Sequence, residues 1–198
     1  MLTLIEIYSQ NFNDLIFAIA LNQQELVAST FSRHQKTALC NIRSNLPFET
    51  PFQVFQQPTT HAKTTLAASK DIYDGKDSPV KFKLATRDLT IYTQKVLKAT
   101  IAIPVGYITS YGAIAKAVGG GARVVGNAMA RNRFPPIVPC HRVVKSNLSL
   151  GGYSAGGLRV KLDFLMREQR GFHEPKKIAT NGGVLSVFPV EHVLQKYV

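Results

Sequence analysis

The chain predicts an α/β N-terminal domain, a three-stranded antiparallel meander with a helix, followed by a mainly α C-terminal domain containing a helix-turn-helix. Three observations predict it. Apolar alternation broken by turn-length polar separators runs through the first 32 residues. Helical spacing takes over after residue 89, with a glycine triplet between two short helices. The charge is divided unevenly: residues 1–83 carry 8 basic and 7 acidic side chains, and residues 84–198 carry 16 and 5, within a net charge of +12 over 198 residues. A basic half beside a near-neutral one points to a polyanion as the partner of the second half.

The elements follow in order. Leu2, Leu4 and Ile7 alternate around Thr3 and Glu6. Leu15, Phe17, Ile19 and Leu21 form a second run, and Val27 and Phe31 sit in a third, β-branched one. Leu39, Ile42 and Leu46 fall at helical spacing over 34–46, with Pro47 as the stop. Residues 47–70 are rich in Pro, Gln and Thr and give only a weak helix over about 59–74. Asp74 to Pro79 is a turn and linker, and Val80–Leu84 alternates as a short strand. The first domain is placed at 1–83, the second at 84–172, and a C-terminal extension at 173–198.

In the second half Leu89, Tyr92, Val96 and Ala99 mark a helix that stops before Pro104. Thr109 and Ser110 cap a helix over Tyr111–Val118. Gly119, Gly120 and Gly121 break it, and Ala122–Arg131 forms the next helix. Val125, Ala128 and Met129 make the apolar face of that helix, with Arg123 and Asn127 paired i, i+4 on another. Residues 146–157 are a Gly/Ser-rich loop. Leu158–Arg170 is a helix with Leu158, Leu162, Leu165 and Met166 inward, and the extension holds a short helix over Val190–Tyr197.

Several classes are set aside. Two cysteines, Cys40 and Cys140, are too few for a disulfide framework and have no zinc-ligand spacing, so no metal is expected. The longest apolar run, Leu15–Leu21, is far short of a membrane span, and the N-terminus lacks a signal-peptide pattern. The expectation is a cytoplasmic protein (nuclear in a eukaryote), with no membrane partner.

Chemistry concentrates at Pro136–Val144. Cys140 offers a nucleophile, with His141 and Arg142 adjacent as groups able to favour its thiolate, and Pro139 fixes the backbone leading in. Glu168 lies on the last turn of its helix, where the macrodipole disfavours a carboxylate, so a specific partner is expected for it.

Pro139-Cys140-His141-Arg142-Val143 has company. With Ile103-Pro104-Val105-Gly106, Thr109-Ser110-Tyr111-Gly112 and Ala122-Arg123-Val124-Val125-Gly126-Asn127-Ala128, it resembles the O6-alkylguanine-DNA alkyltransferases over about residues 84–170. The resemblance implies a ribonuclease-H-like first domain and a winged helix-turn-helix second domain. It implies irreversible, single-turnover transfer of an alkyl group from O6-alkylguanine in double-stranded DNA, by a monomer without a cofactor. Cys140 would accept the group, His141 would deprotonate it through a water, Glu168 would orient His141, and Asn132 would brace the turn. Arg123 would fill the gap left by the flipped base, and Tyr111 would crowd its phosphate and contact the base. Ala122, Gly126 and Asn127 would lie on the helix that enters the minor groove. The carbonyls of Cys140 and Val143 would accept the guanine amino group, and the N–H of Ala155, or of Ser154, would reach guanine O6.

The chain departs from the family pattern at Asn132-Arg133, where the family often has Asn-Pro, and by one extra residue between Cys140 and Glu168. Cys40 alone cannot supply the N-terminal zinc cluster of some relatives. Competing readings are a lesion-binding protein that flips the base without transfer, a helix-turn-helix regulator, and a cysteine hydrolase. The last would need an oxyanion hole, and none is legible.

Overall fold

Three strands, β1 (Ile5–Phe12), β2 (Leu15–Asn22) and β3 (Glu25–Ser32), form the expected antiparallel meander. The computed structural model describes residues 4–46 and 49–197, so Leu2, Thr3 and Pro47 lie outside the described residues. Helix α1 (Gln35–Ser44) follows, and then β4 (Phe52–Phe55) pairs in parallel with β1, giving the order β3-β2-β1-β4. The sequence reading left β4 unassigned, since four residues among prolines and glutamines carry little periodic signal. Helix α2 (Thr60–Tyr73) occupies the weakly helical stretch.

Strand β2 is apolar at nearly every position because both of its faces are covered. Ala18 and Ala20 meet Ala38 and Ile42 of α1 in one cluster. Phe17 turns the other way, its ring edge-on to Tyr73 of α2 at 5.5 Å. The expected strand at Val80–Leu84 is instead a single parallel bridge, Leu26 to Leu84. Leu26 N–H donates to the Lys83 carbonyl at 2.8 Å, and Ala85 N–H donates to the Leu26 carbonyl at 2.8 Å. Residues Arg133–Ile137 belong to this first compact unit together with Met1–Tyr73 and Asp77–Asp88. Here Arg133 grips Asp88 through both carboxylate oxygens at 2.7 Å and also donates to the Ala85 carbonyl.

The second unit holds Asp74–Lys76, Leu89–Asn132 and Val138–Val198. Helix α3 (Ile91–Ile101) buries Val96 and Ala99 as its spacing predicts. After the 104–106 turn comes a strand the sequence did not disclose, β5 (Tyr107–Ser110). Thr109 is therefore a strand residue whose hydroxyl donates to the Ser186 carbonyl at 2.7 Å. Ser110 alone caps α4 (Tyr111–Val118), its Oγ accepting the Ala113 N–H at 3.0 Å. Ser110→Ala is expected to cost about 1 kcal/mol, read as a fall in Tm.

Gly120 has φ +90°, and a Cβ there would strike the Tyr92 ring, so this turn requires glycine. Helix α5 (Ala122–Ala130) then buries Val125, Ala128 and Met129. Strand β6 (Val143–Val144) pairs in parallel with β5. Helix α6 (Gly157–Arg167) buries Lys161, Phe164 and Leu165, while Leu158 and Met166, expected inward, are exposed. The tail is more than a short helix. Strands β7 (Lys176–Thr180) and β8 (Gly183–Pro189) form a hairpin, β8 pairs with β5, and α7 (Glu191–Leu194) closes the unit. The sheet order is β6-β5-β8-β7. Among the described residues no helix is long and apolar enough to cross a membrane.

Candidate active site

Cys140 opens one turn of 3-10 helix, Cys140–Arg142, between Pro139 and β6. Its N–H donates to the Val138 carbonyl at 2.7 Å, and Arg142 N–H donates to the Pro139 carbonyl at 2.9 Å. Asn132, at the end of α5, donates its side-chain amide to the Val138 carbonyl at 3.1 Å and to Cys140 Sγ at 3.2 Å. One amide thus ties the turn and touches the thiol. Burial pushes the Cys140 thiol up, and the Asn132 amide and the Lys161 charge pull it back without cancelling that effect. The resting group is S–H, so its activation requires a base.

His141 is fully buried and stacks on Phe164 at 4.3 Å between ring centroids. Its Nε2 lies 2.8 Å from Glu168 Oε1. Glu168 caps the C-terminal end of α6 and is fully buried. Arg142 Nε sits 3.0 Å from each of its oxygens, Nη2 is 2.8 Å from Oε1, and Nη1 donates to the Ile103 carbonyl at 2.5 Å. Burial alone would raise the Glu168 carboxyl, but His141 and Arg142 together hold it down at about 2. An ionised carboxylate only accepts, so His141 Nε2 carries the proton and Nδ1 is left with a lone pair. Nδ1 is buried and has no hydrogen-bond partner among the described residues. Burial pushes the imidazole towards its neutral form against the pull of Glu168. The arrangement is a neutral base with one free nitrogen, next in sequence to a protonated thiol.

Arg142 and Lys161 were not foreseen in these places. Arg142, expected beside the thiol, is committed to Glu168. Lys161 is fully buried, and its ammonium donates to the carbonyls of Val143 (2.5 Å), Leu150 (2.6 Å) and Gly152 (3.2 Å). Burial pushes its pKa down to about 8, against the attraction of Cys140. The missed signal was a lysine three residues from Leu158 and four from Leu165, on the face read as apolar.

A cavity of ≈ 510 Å³ opens onto Cys140 and is lined by Tyr111, Ala122, Gly126 and Ser154 among the expected residues. Arg123 and Asn127 are exposed on α5 and do not line it. Ala155 also lies outside the lining, and the Val143 carbonyl already receives the Lys161 ammonium. Burial and the nearby Cys140 raise the Tyr111 phenol, so it keeps its proton at neutral pH.

This pairing of a two-unit α/β fold with a thiol at a cavity lined by Tyr111 of α4 and Ala122 and Gly126 of α5 defines a class. Residues 92–170 match the family model described as the DNA-binding domain of 6-O-methylguanine DNA methyltransferase. The constitutive methylated-DNA–protein-cysteine methyltransferase of Bacillus subtilis is 36% identical over 125 residues, covering 60% of this chain and 75% of the relative. The methylated-DNA–protein-cysteine methyltransferase of Pyrobaculum aerophilum is 51% identical over 74 residues, covering 37% of this chain; the chain spans about half (49%) of that relative. A crystal structure of Mycobacterium tuberculosis OGT in complex with DNA superposes with a TM-score of 0.64 at 26% identity, over 82% of this chain and 92% of that one. The chain belongs to the methylated-DNA–protein-cysteine methyltransferase family.

Proposed function

We propose that the chain repairs DNA directly, moving the alkyl group of O6-alkylguanine irreversibly onto Cys140, one group per molecule. The observation that carries this reading is the Cys140 thiol at the cavity, beside a neutral His141 whose Nε2 is held by Glu168 and whose Nδ1 is free. A water at Nδ1 would relay the thiol proton to His141. Sγ then attacks the alkyl carbon, the carbon–O6 bond breaks, its electron pair goes to guanine, and the proton follows. Transfer needs no metal or organic cofactor, because the thiolate attacks the alkyl carbon itself.

Asn132 holds the turn, and Tyr111 contacts the flipped base. Ala122 and Gly126 keep the DNA-facing side of α5 low enough for the minor groove, with Asn127 beside them. Arg123 enters the duplex where the base has left, a role its exposure on α5 supports. The Cys140 carbonyl and the second lone pair of the Val143 carbonyl, whose first takes Lys161, accept the guanine amino group, and Ala155 or Ser154 supplies the N–H to O6. Ser154, at the cavity wall, has the better support of the two. A meander, a helix and a strand parallel to β1 support a ribonuclease-H-like reading of the first domain. The sequence β5, α4, α5 and a β7–β8 hairpin whose second strand pairs with β5 supports a winged helix-turn-helix in the second. The protein acts as a cytoplasmic monomer, with domains at 1–83 and 84–172 and a 173–198 extension whose hairpin joins the sheet of the second domain.

A labelled oligonucleotide carrying O6-methylguanine tests this. Product should plateau at one methyl group per chain, on the peptide holding Cys140; continued turnover with excess DNA sinks the reading. Arg123→Ala should slow repair in duplex DNA about tenfold or more, given a flipping cost of a few kcal/mol, and leave reaction with free O6-benzylguanine nearly unchanged. Equal losses on both substrates would give Arg123 a role in the fold instead. Duplex affinity should also fall steeply with salt, as counterions are released from phosphates.

A further inference from the structure

The tail, C-terminal to the segment matched by the family model, reaches two sides of the site. On one side, Glu191 at the start of α7 receives three successive backbone N–H groups on Oε1: Arg170 at 3.0 Å, Gly171 at 2.6 Å and Phe172 at 3.2 Å. That turn begins two residues after Glu168. Phe172 in turn stacks on Tyr107 at 5.1 Å and lies so close to Gly106 that a Cβ there would fall 2.9 Å from its ring. Val190 N–H donates to the Gly106 carbonyl at 3.0 Å, and the same 103–106 turn gives Arg142 its Ile103 carbonyl. The Glu168–Arg142 pair is thus flanked by two turns, and both are pinned by residues 190–191.

On the other side, Leu150 N–H donates to Tyr197 Oη at 3.2 Å, and the Lys196 ammonium donates to the Asn147 carbonyl. Val190, Val193 and Leu194 share one buried cluster with Leu150, and Leu148 packs against it. The Leu150 carbonyl is a Lys161 acceptor, and the next two residues, Gly151 and Gly152, line the cavity. Glycines set no side-chain contacts of their own, so their position depends on what fixes Leu150 and on the Lys161 bond to the Gly152 carbonyl.

We infer that the C-terminal segment is a positioning device for alkyl transfer, with Glu191 fixing the turn behind Glu168 and Tyr197 fixing the loop that walls the base pocket. The inference rests on the function proposed above. It assigns the two contacts separable effects. Loss of the Glu191 clamp loosens the carboxylate that orients His141, which acts on the chemical step. Loss of the Tyr197 contact loosens the pocket wall, which acts on substrate capture.

The test is single-turnover transfer from duplex DNA carrying O6-methylguanine, at rising concentrations of full-length protein. Glu191→Ala should lower the limiting rate about tenfold, the low end of general-base contributions, with the half-saturating concentration unchanged. Glu191→Gln keeps an acceptor oxygen and the side-chain volume, and should stay within about twofold of wild type. Tyr197→Phe should raise the half-saturating concentration about threefold at an unchanged limiting rate, the effect of one lost hydrogen bond. In the wild type, the amides of Arg170, Gly171, Phe172 and Leu150 should be protected from hydrogen exchange, a readout that holds even where Glu191→Ala does not fold. An active wild type overturns the inference if the variants match it, if both constants fall together in each variant, or if those amides exchange freely. A wild type that transfers nothing overturns the proposed function, and this inference with it.

Discussion

Cys140→Ala is expected to abolish alkyl transfer while leaving binding to alkylated duplex DNA within about twofold of wild type. Transfer needs a sulfur at this position, because no other side chain lining the cavity carries a nucleophile that forms a stable thioether. On the proposed reading, binding draws on other groups: the exposed Arg123 and Asn127 of α5 and the basic second half of the chain. The change is small for the fold as well, since alanine fills most of the space and Asn132 keeps its bond to the Val138 carbonyl. A gel shift and a labelled-oligonucleotide assay separate the two properties. Residual transfer would put the acceptor elsewhere, and Cys40, exposed in α1, is the other thiol.

Glu168→Gln should act on both rate and stability. The rate should fall about 10²-fold, because the neutral amide no longer supports the imidazolium that forms when His141 takes the thiol proton. Stability should fall by about 3–5 kcal/mol, the usual cost of leaving a buried partner, here Arg142, uncompensated. The pH dependence gives the sharper test. The folded-state pKa of Glu168 is about 2 against an ordinary 4.5, a depressed value. Its stabilising contribution is therefore fully present above about pH 4.5 and is lost as the pH falls towards 2, amounting to about 3 kcal/mol in the wild type. Glutamine has no such proton to bind. Urea unfolding at pH 6, 4 and 3 should show a shallower acid loss in the variant, and equal slopes would detach Glu168 from this network.

Much of this was legible in the sequence, and the gaps have physical causes. The meander showed because β1 to β3 are eight residues long and separated by tight polar turns. Helices α4 and α5 showed because Ser110 caps one and three glycines divide them. Strands β4, β5 and β6, of four residues or fewer, owe their existence to distant partners and carry no period of their own. The hairpin at 176–189 was missed for a related reason: Lys176 and Lys177 open β7, and β8 alternates only over Leu185, Val187 and Pro189. At the site, Cys140, His141 and Glu168 were legible from the motif and from an ill-placed carboxylate. Lys161 was not, because its burial depends on three carbonyls contributed by a loop. The same lysine explains the misjudged face of α6, which turns towards that loop and leaves Leu158 and Met166 outside.

The two buried cations around Cys140 have a consequence for the end of the reaction. Arg142 and Lys161 are matched by Glu168 and by Glu191 behind it, so the buried charges of this unit balance when thiol and imidazole are both neutral. Moving the proton from sulfur to His141 leaves that balance unchanged, since thiolate and imidazolium cancel. On the proposed mechanism alkylation does not: the sulfur becomes neutral while the imidazolium remains, and one surplus positive charge is stranded away from water. The departing guanine is the anion at hand to discharge it. Proton return and base release are then one event, and a spent site in which His141 still held its proton would divide the Glu168 carboxylate between His141 and Arg142.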